Sequence, residues 1–325
     1  MKIIGITMGD PAGVGPEIVV KALADSQEFE ADYVVYGAAD ILQHYIDQLG
    51  LNCKVKEISQ VEEYEEGAVN VIDPIHLTMD QYQIGALSAK CGDAAYRYIE
   101  RSIQDALAGK IEAVVTGPLN KEALHMGGHN YDGHTEIFAT LTHTKDYAMM
   151  FYGPLKIMHV STHCSLREAC DRATKERVLT CIRLICQALK RTGLENPYIA
   201  VAGLNPHAGE HGLFGTEEID QIIPAIEEAK AEGINVTGPI PPDTVFSKAL
   251  NGVYDGVIAM YHDQGHIAAK MQHMSDCVNC TIGLPIIRTS VDHGTAFDIA
   301  GKGIADGKNM KQSMHVAEEF LKAEE

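Results

Sequence analysis

DGVIAMYHDQGH, residues 255–266, is a short β-prone run that stops abruptly at a His–Asp pair. LKIMHVSTH (155–163) and YIAVAGLNPHAG (198–209) repeat the plan: Val, Ile and Ala, then Gly, Pro or Ser/Thr, then a histidine. In a helix-covered parallel sheet such breaks mark the carboxyl ends of strands, where open α/β folds bind their ligands. Around them strands and helices alternate. MKIIGIT leads through GDPAGVG into a helix opening at Pro16 and Glu17, a proline and an acid both suited to a first turn. YVVYGA (33–38), AVNVID (68–73) and IEAVVTGPLN (111–120) read as further strands, and residues 85–108 as a helix. The alternation predicts a parallel α/β architecture.

With 325 residues the chain has room for two domains and an ample core. The boundary is expected at the loop-like MGGHNYDGHTE (126–136). The last helix, from about Met314, is expected to pack back on the first region. That gives a discontinuous first domain, 1–125 plus 300–325, and a second, 126–299, carrying all three strand-end histidines. A formal charge of −19 argues against nucleic-acid or anionic-membrane partners. MKIIGITMGDPAG reads as strand and turn rather than a secretory leader, and no apolar run reaches spanning length. Eight cysteines are too few for a disulfide framework, and Cys277-Val-Asn-Cys280 lacks the second pair of a zinc site. A cytoplasmic protein is expected.

Four histidine pairs have i,i+4 spacing: 125/129, 159/163, 207/211 and 262/266. Pro206, Gly209 and Gly265 break or flank the latter two, and His159 lies in an apparent strand, so no two-ligand helix is expected. One histidine from each strand end, His163, His207 and His262, makes a better set, able to bind a divalent cation with positions left for substrate oxygens. The competing reading is three hydrogen-bonded loop histidines. Asp243 and Asp263 are candidate acid–base or supporting groups, or equally turn and cap residues. Lys270, Asn279 and Arg288, with the helix start GHTE (133–136) at His134 and Thr135, could bind phosphate or carboxylate. The alternatives are surface charges and simple capping.

MGDPAGVGPE, TGPLNKEAL, GHTE, LNPHAGE, YHDQG and NCTIGLPIIRTSVDHGTAFDIAG occur in order over nearly the whole chain, and together they resemble the 4-hydroxythreonine-4-phosphate dehydrogenase family. The resemblance implies two α/β/α domains with a central cleft, a homodimer with its active site at the subunit interface, and NAD-dependent oxidation of a phosphorylated hydroxy acid. It implies one divalent metal per site (Zn, Mg, Mn or Co) on His163, His207 and His262, and substrate contacts from His134, Thr135, Lys270, Asn279 and Arg288. IGITMGDPAGVGPEI and DHGTAFDIAGKGIA are also similar to isopropylmalate and isocitrate dehydrogenases. That likeness implies an NAD adenosine site at His293, Gly294, Thr295, Ala296 and Asp298, in a chain without G-x-G-x-x-G. HNYDGHTE and HDQGHI look like the branch acting on 4-phosphorylated threonate or erythronate, rather than the vitamin B6 enzymes. Oxidation at C3 followed by loss of CO2 would give dihydroxyacetone phosphate, with Lys270, then Asp243, as candidate base. A three-histidine metal hydrolase and a non-catalytic sugar-acid phosphate sensor are the rivals; an NAD titration separates them.

Overall fold

The computed structural model describes residues 2–24, 28–273 and 277–322. Residues 1, 25–27 and 323–325, assigned above to the first domain, and 274–276, assigned to the second, lie outside them. The chain divides into two compact units, Met1–Thr144 with Leu284–Glu318, and Lys145–Gly283 with Glu319–Glu325. This differs from the sequence boundaries in placing 126–144 and 284–299 in the first unit and 319–322 in the second. The physical reason is pairing: Ile287–Ser290 forms a parallel ladder with Ala113–Thr116, and the helix His134–Leu141 packs on the helix Ala89–Leu107.

The first unit's strands are β1 (Ile3–Thr7), β2 (Asp32–Tyr36), β3 (Val55–Glu57), β4 (Val69–Ile72) and β5 (Ala113–Thr116). The second unit contributes β6 (Ala148–Tyr152), β7 (Ile157–His159), β8 (Ile199–Ala202), β9 (Val236–Ile240), β10 (Gly256–Ala259) and β11 (Val278–Ile282), and the chain returns to the first with β12 (Ile287–Ser290). In the first unit the order is β3-β4-β2-β1-β5-β12, every neighbouring pair parallel. β1, β4 and β5 are buried at every position, so both faces of the sheet centre are covered, as a parallel sheet requires.

The second unit has the order β11-β6-β7-β10-β8-β9. Here the expectation of an all-parallel sheet fails at β6, which is antiparallel to both β7 and β11. Only residues 153–156 separate β6 from β7, enough for a hairpin connection and far too few for a parallel crossover.

The helices are α1 (Gly15–Ala24), α2 (Ala39–Leu49), α3 (Ala89–Leu107), α4 (Lys121–Met126), α5 (His134–Leu141), α6 (Leu166–Arg172), α7 (Lys175–Lys190), α8 (Ile223–Ala231), α9 (Pro242–Leu250), α10 (His262–His273) and α11 (Lys308–Lys322). α3 starts at Ala89, later than the sequence pattern suggests, because the Ser88 side chain caps the Cys91 N–H. α11 starts near residue 308, about two turns before the expected Met314. Its Glu318 accepts from Tyr33 Oη at 3.0 Å and from the Glu30 and Ala31 amides, tying it to the start of β2. Among the described residues no helix is long and apolar enough to cross a membrane.

Candidate functional site

In the second unit, β10 pairs in parallel with β7 on one side and β8 on the other. Their carboxyl ends therefore lie side by side, delivering His163 after β7, His262 after β10 and His207 after β8. Asp243, in the first turn of α9, follows the next strand, β9. The His163 and His262 rings lie 5.8 Å apart, centre to centre. Both line a cavity of about 320 Å³ with Cys164, Leu166, Tyr261 and Asp263. His207 is not on that wall; its ring lies 6.2 Å from Phe214. Among the described residues no three His, Cys, Asp or Glu side chains form a metal-holding group within one chain.

The pair still fits a shared cation. An imidazole nitrogen ligates at about 2.0–2.1 Å, which sets a metal roughly 3.2 Å from a ring centre and allows two ligating rings to lie up to roughly 6.4 Å apart. Asp263 Oδ1 lies 2.7 Å from His262 Nδ1, the outward-ring partner that fixes a ligand tautomer.

One expectation is corrected. HDQG is not a loop, and His262 and His266 do form an i,i+4 helical pair, on α10. Their rings stack at 3.5 Å and 15°. Gly265 does not break the helix. Its missing Cβ is a packing requirement, since a methyl there would come within 2.4 Å of His159 Nε2. His266 is not turned to the cavity. Its Nδ1 lies 3.0 Å from the His262 carbonyl and 3.2 Å from His159 Nε2, and since a carbonyl only accepts, that nitrogen carries the proton. Burial and the neighbouring imidazole push His159 down to about 3, and burial and His262 push His266 down to about 4, so both are neutral supports. The signal for His266 was its helical spacing from His262.

Lys270 is two turns beyond His262 on α10 and exposed, and Asn279 is half-buried on β11, its Oδ1 out of solvent and without a hydrogen-bond partner. Cys277 and Cys280 are buried on either side of it and form no disulfide.

His207 is presented by an unusual backbone. From His207 to His211 φ is 53°, 54°, 79°, 41° and 57°, so five residues in succession are left-handed, four of them not glycine and each of those at a cost of about 1–2 kcal/mol. Sequence spacing gave no sign of it.

The first unit holds the other predicted groups. Arg288 is 3 % exposed on β12 and donates from Nη2 to Thr116 Oγ1 at 2.7 Å. His134 opens α5 after Gly133, and its Nε2 is shut off from solvent without a hydrogen-bond partner. Burial, then the Arg288 guanidinium, holds its imidazole well below the ordinary range, hence neutral. His134 and Thr135 thus stand at a helix N-terminus, with an idle ring nitrogen, in a setting suited to an anion. The loop before them is clamped: His129 stacks on Tyr96 at 3.7 Å, and its Nε2 lies 2.8 Å from Asp93 Oδ1.

The loop 293–298 follows β12. Val14 N–H donates to Thr295 O at 2.9 Å, and Gly13 sits so close that a Cβ would meet Thr295 at 2.8 Å, so the GDPAGVG turn seats this loop. His293, Gly294 and Asp298 are exposed, open space faces Gly294, and Ala296 has φ 44°. An exposed ring, an open backbone and a carboxylate suit an adenosine and its ribose hydroxyls.

The pyridoxal phosphate biosynthetic protein PdxA profile matches residues 30–317. A D-threonate 4-phosphate dehydrogenase from Salmonella typhimurium is 50% identical over 321 residues, 97% of this chain and 98% of the relative. Another of that name from Pectobacterium atrosepticum is 49% identical over 323 residues, with 97% and 98% covered. The crystal structure of a 4-hydroxythreonine-4-phosphate dehydrogenase from Klebsiella pneumoniae superposes with a TM-score of 0.88 at 47% identity, over 98% of this chain and 99% of that one. With the family profile covering most of the chain and these relatives at about half identity over nearly its whole length, the chain belongs to the PdxA family and is an oxidoreductase, a dehydrogenase.

Proposed function

We propose that the chain oxidises a 4-phosphorylated four-carbon hydroxy acid, 4-phospho-D-threonate or 4-phospho-D-erythronate, with NAD, and releases CO2 and dihydroxyacetone phosphate. The observation that carries this reading is the parallel run β7-β10-β8, which brings the loops of His163, His262 and His207 to one sheet edge. The names of the relatives at about half identity support the substrate class. A divalent cation held by the three histidines would supply Lewis-acid polarisation of substrate oxygens, and NAD, seated at 293–298, would accept the hydride.

The chain's own groups do the rest. His134 and Thr135 bind the phosphate through a helix start and a neutral imidazole, and Arg288 pairs with an anionic group. Lys270 takes the C3 hydroxyl proton as C3–H leaves as hydride, with Asp243 the second candidate. The C1–C2 bond of the 3-keto acid then breaks, its electrons pass to C2, and C2 takes up a proton.

The working unit is a homodimer with the metal set shared at the subunit interface. His207 stands apart from His163 and His262 within one chain, and apolar side chains near them are left exposed: Leu166, Leu213 (71 %), Phe214, Ile267 and Met271 (79 %).

The test is NADH formation from 4-phosphothreonate, 4-phosphoerythronate and 4-phosphohydroxy-L-threonine, after chelation and with divalent metal restored. Metal-dependent turnover of the first two is expected. Preference for the third assigns the chain to vitamin B6 synthesis instead, and no NADH from any of them removes the proposal.

A further inference from the structure

We infer that Glu218 is a positioning residue for His207, an inference that rests on the reading of His207 as a metal ligand. Glu218 is 2 % exposed, a carboxylate buried beneath the loop that carries the histidine. Its Oε1 accepts the Leu204 amide at 2.8 Å and the Asn205 amide at 2.7 Å, and its Oε2 accepts Asn205 Nδ2 at 2.9 Å. These are the two residues that precede Pro206 and His207. Asn205 Nδ2 also donates to Glu217 Oε2 at 2.7 Å, so the pair of acids grips both backbone and side chain at the loop entry.

The carboxylate also touches the loop's crown. A Cβ on Gly209 would sit 2.7 Å from Glu218 Oε2, and one on Gly203 would sit 2.7 Å from Ala208 Cα. Both glycines are therefore cut to the space between the acid and the left-handed run. A run of left-handed non-glycine residues persists only where its surroundings over-determine it, and such strain gathers at functional sites. Glu218 is that constraint: one acceptor-only group bonds the entry of the loop and packs on its turn. It heads a wide π turn, Glu218–Ile222, that runs into α8, a local distortion helices use at functional positions. Thus α8 fixes the acid, the acid fixes Leu204 and Asn205, and these aim His207.

The experiment compares wild type with Glu218→Ala, Glu218→Gln and His207→Ala as purified full-length proteins. Hydrogen exchange at the Leu204 and Asn205 amides reads the loop, and Zn2+ or Co2+ affinity by chelator competition reads the ligand set. Glu218→Ala should speed exchange at both amides and weaken metal binding about 10–100-fold, the usual effect of removing a group that orients a ligand. Glu218→Gln keeps an acceptor for the two backbone amides but turns an NH2 toward Asn205 Nδ2, so exchange and affinity should both lie between those of wild type and Glu218→Ala.

Faster exchange with wild-type metal affinity in Glu218→Ala overturns the positioning role and leaves His207 as a ligand. Unchanged exchange overturns it as well. Equal metal affinity in wild type and His207→Ala overturns the ligand reading itself, and this inference with it. If Glu218→Ala does not fold, Glu218→Asp replaces it. The shorter carboxylate should disturb exchange and affinity together, and disturbed exchange alone again overturns the role.

Discussion

Asp10, in the turn after β1, is fully buried; its Oδ1 accepts the Ala12 amide at 2.9 Å, while Oδ2 has no hydrogen-bond partner. Burial pushes its carboxyl from the usual 3.8 up to about 6, against the lowering effect of the Ala12 bond. A carboxyl raised on folding favours the native state while protonated, and that contribution is lost as pH rises through the folded value. That rise corresponds to about 3 kcal/mol. Chemical denaturation of Asp10→Asn and wild type at pH 4 and pH 8 checks this: the variant should gain on wild type by roughly 2–2.5 kcal/mol at the higher pH, since the unfolded carboxyl is already partly ionised at pH 4. A constant difference would mean Asp10 is solvated. The turn was legible in GDPAGVG. The orphaned oxygen was not, because burial on all sides is a property of packed neighbours.

At the scale of elements, α3 and α4 meet backbone to backbone. Gly92 lies inside α3, where glycine costs about 1 kcal/mol relative to alanine. A Cβ there would lie 1.8 Å from Ala123 O, and the two helices would have to separate. Gly92→Ala should therefore destabilise by about 1–3 kcal/mol, the opposite sign to its helix propensity, as thermal or urea unfolding would show. A stabilised variant would mean that the contact yields freely. Since α4 leads to the clamped loop at His129 and on to His134, the KM for the phosphorylated substrate should rise as well. Sequence pattern found α3 but neither α4 nor the close spacing of the two. It also mistook the start of α10 for a loop, because Gly265 reads as a breaker until His159 is seen beneath it.

For the molecule as a whole, the proposed sharing of metal ligands between copies has a direct consequence. Single variants His163→Ala, His207→Ala and His262→Ala should each be inactive. If the three ligands come from two chains, mixing and reassociating one suitable pair of these proteins rebuilds an intact site, with up to about a quarter of wild-type activity from random pairing in a twofold dimer. Recovery in no pairing, with all three proteins folded by circular dichroism, would place the whole set in one chain.

The amino-acid sequence determined which residues lie at strand ends, since β-prone runs, turn residues and alternating helices are local patterns set by side-chain type. It therefore named His163, His207 and His262 as strand-end residues, the helix start GHTE and the scarcity of positive charge pointed to His134 and Arg288, and its motifs carried the family. Tertiary structure alone decided the reversal of β6, the passage of 284–299 into the first unit, the stacking of His266 on His262 and the burial of Glu218 under a left-handed turn. Each depends on contacts between residues far apart in the chain. Whether a glycine breaks a helix or a carboxylate holds a loop is decided by the atoms packed against it, and local sequence does not specify them.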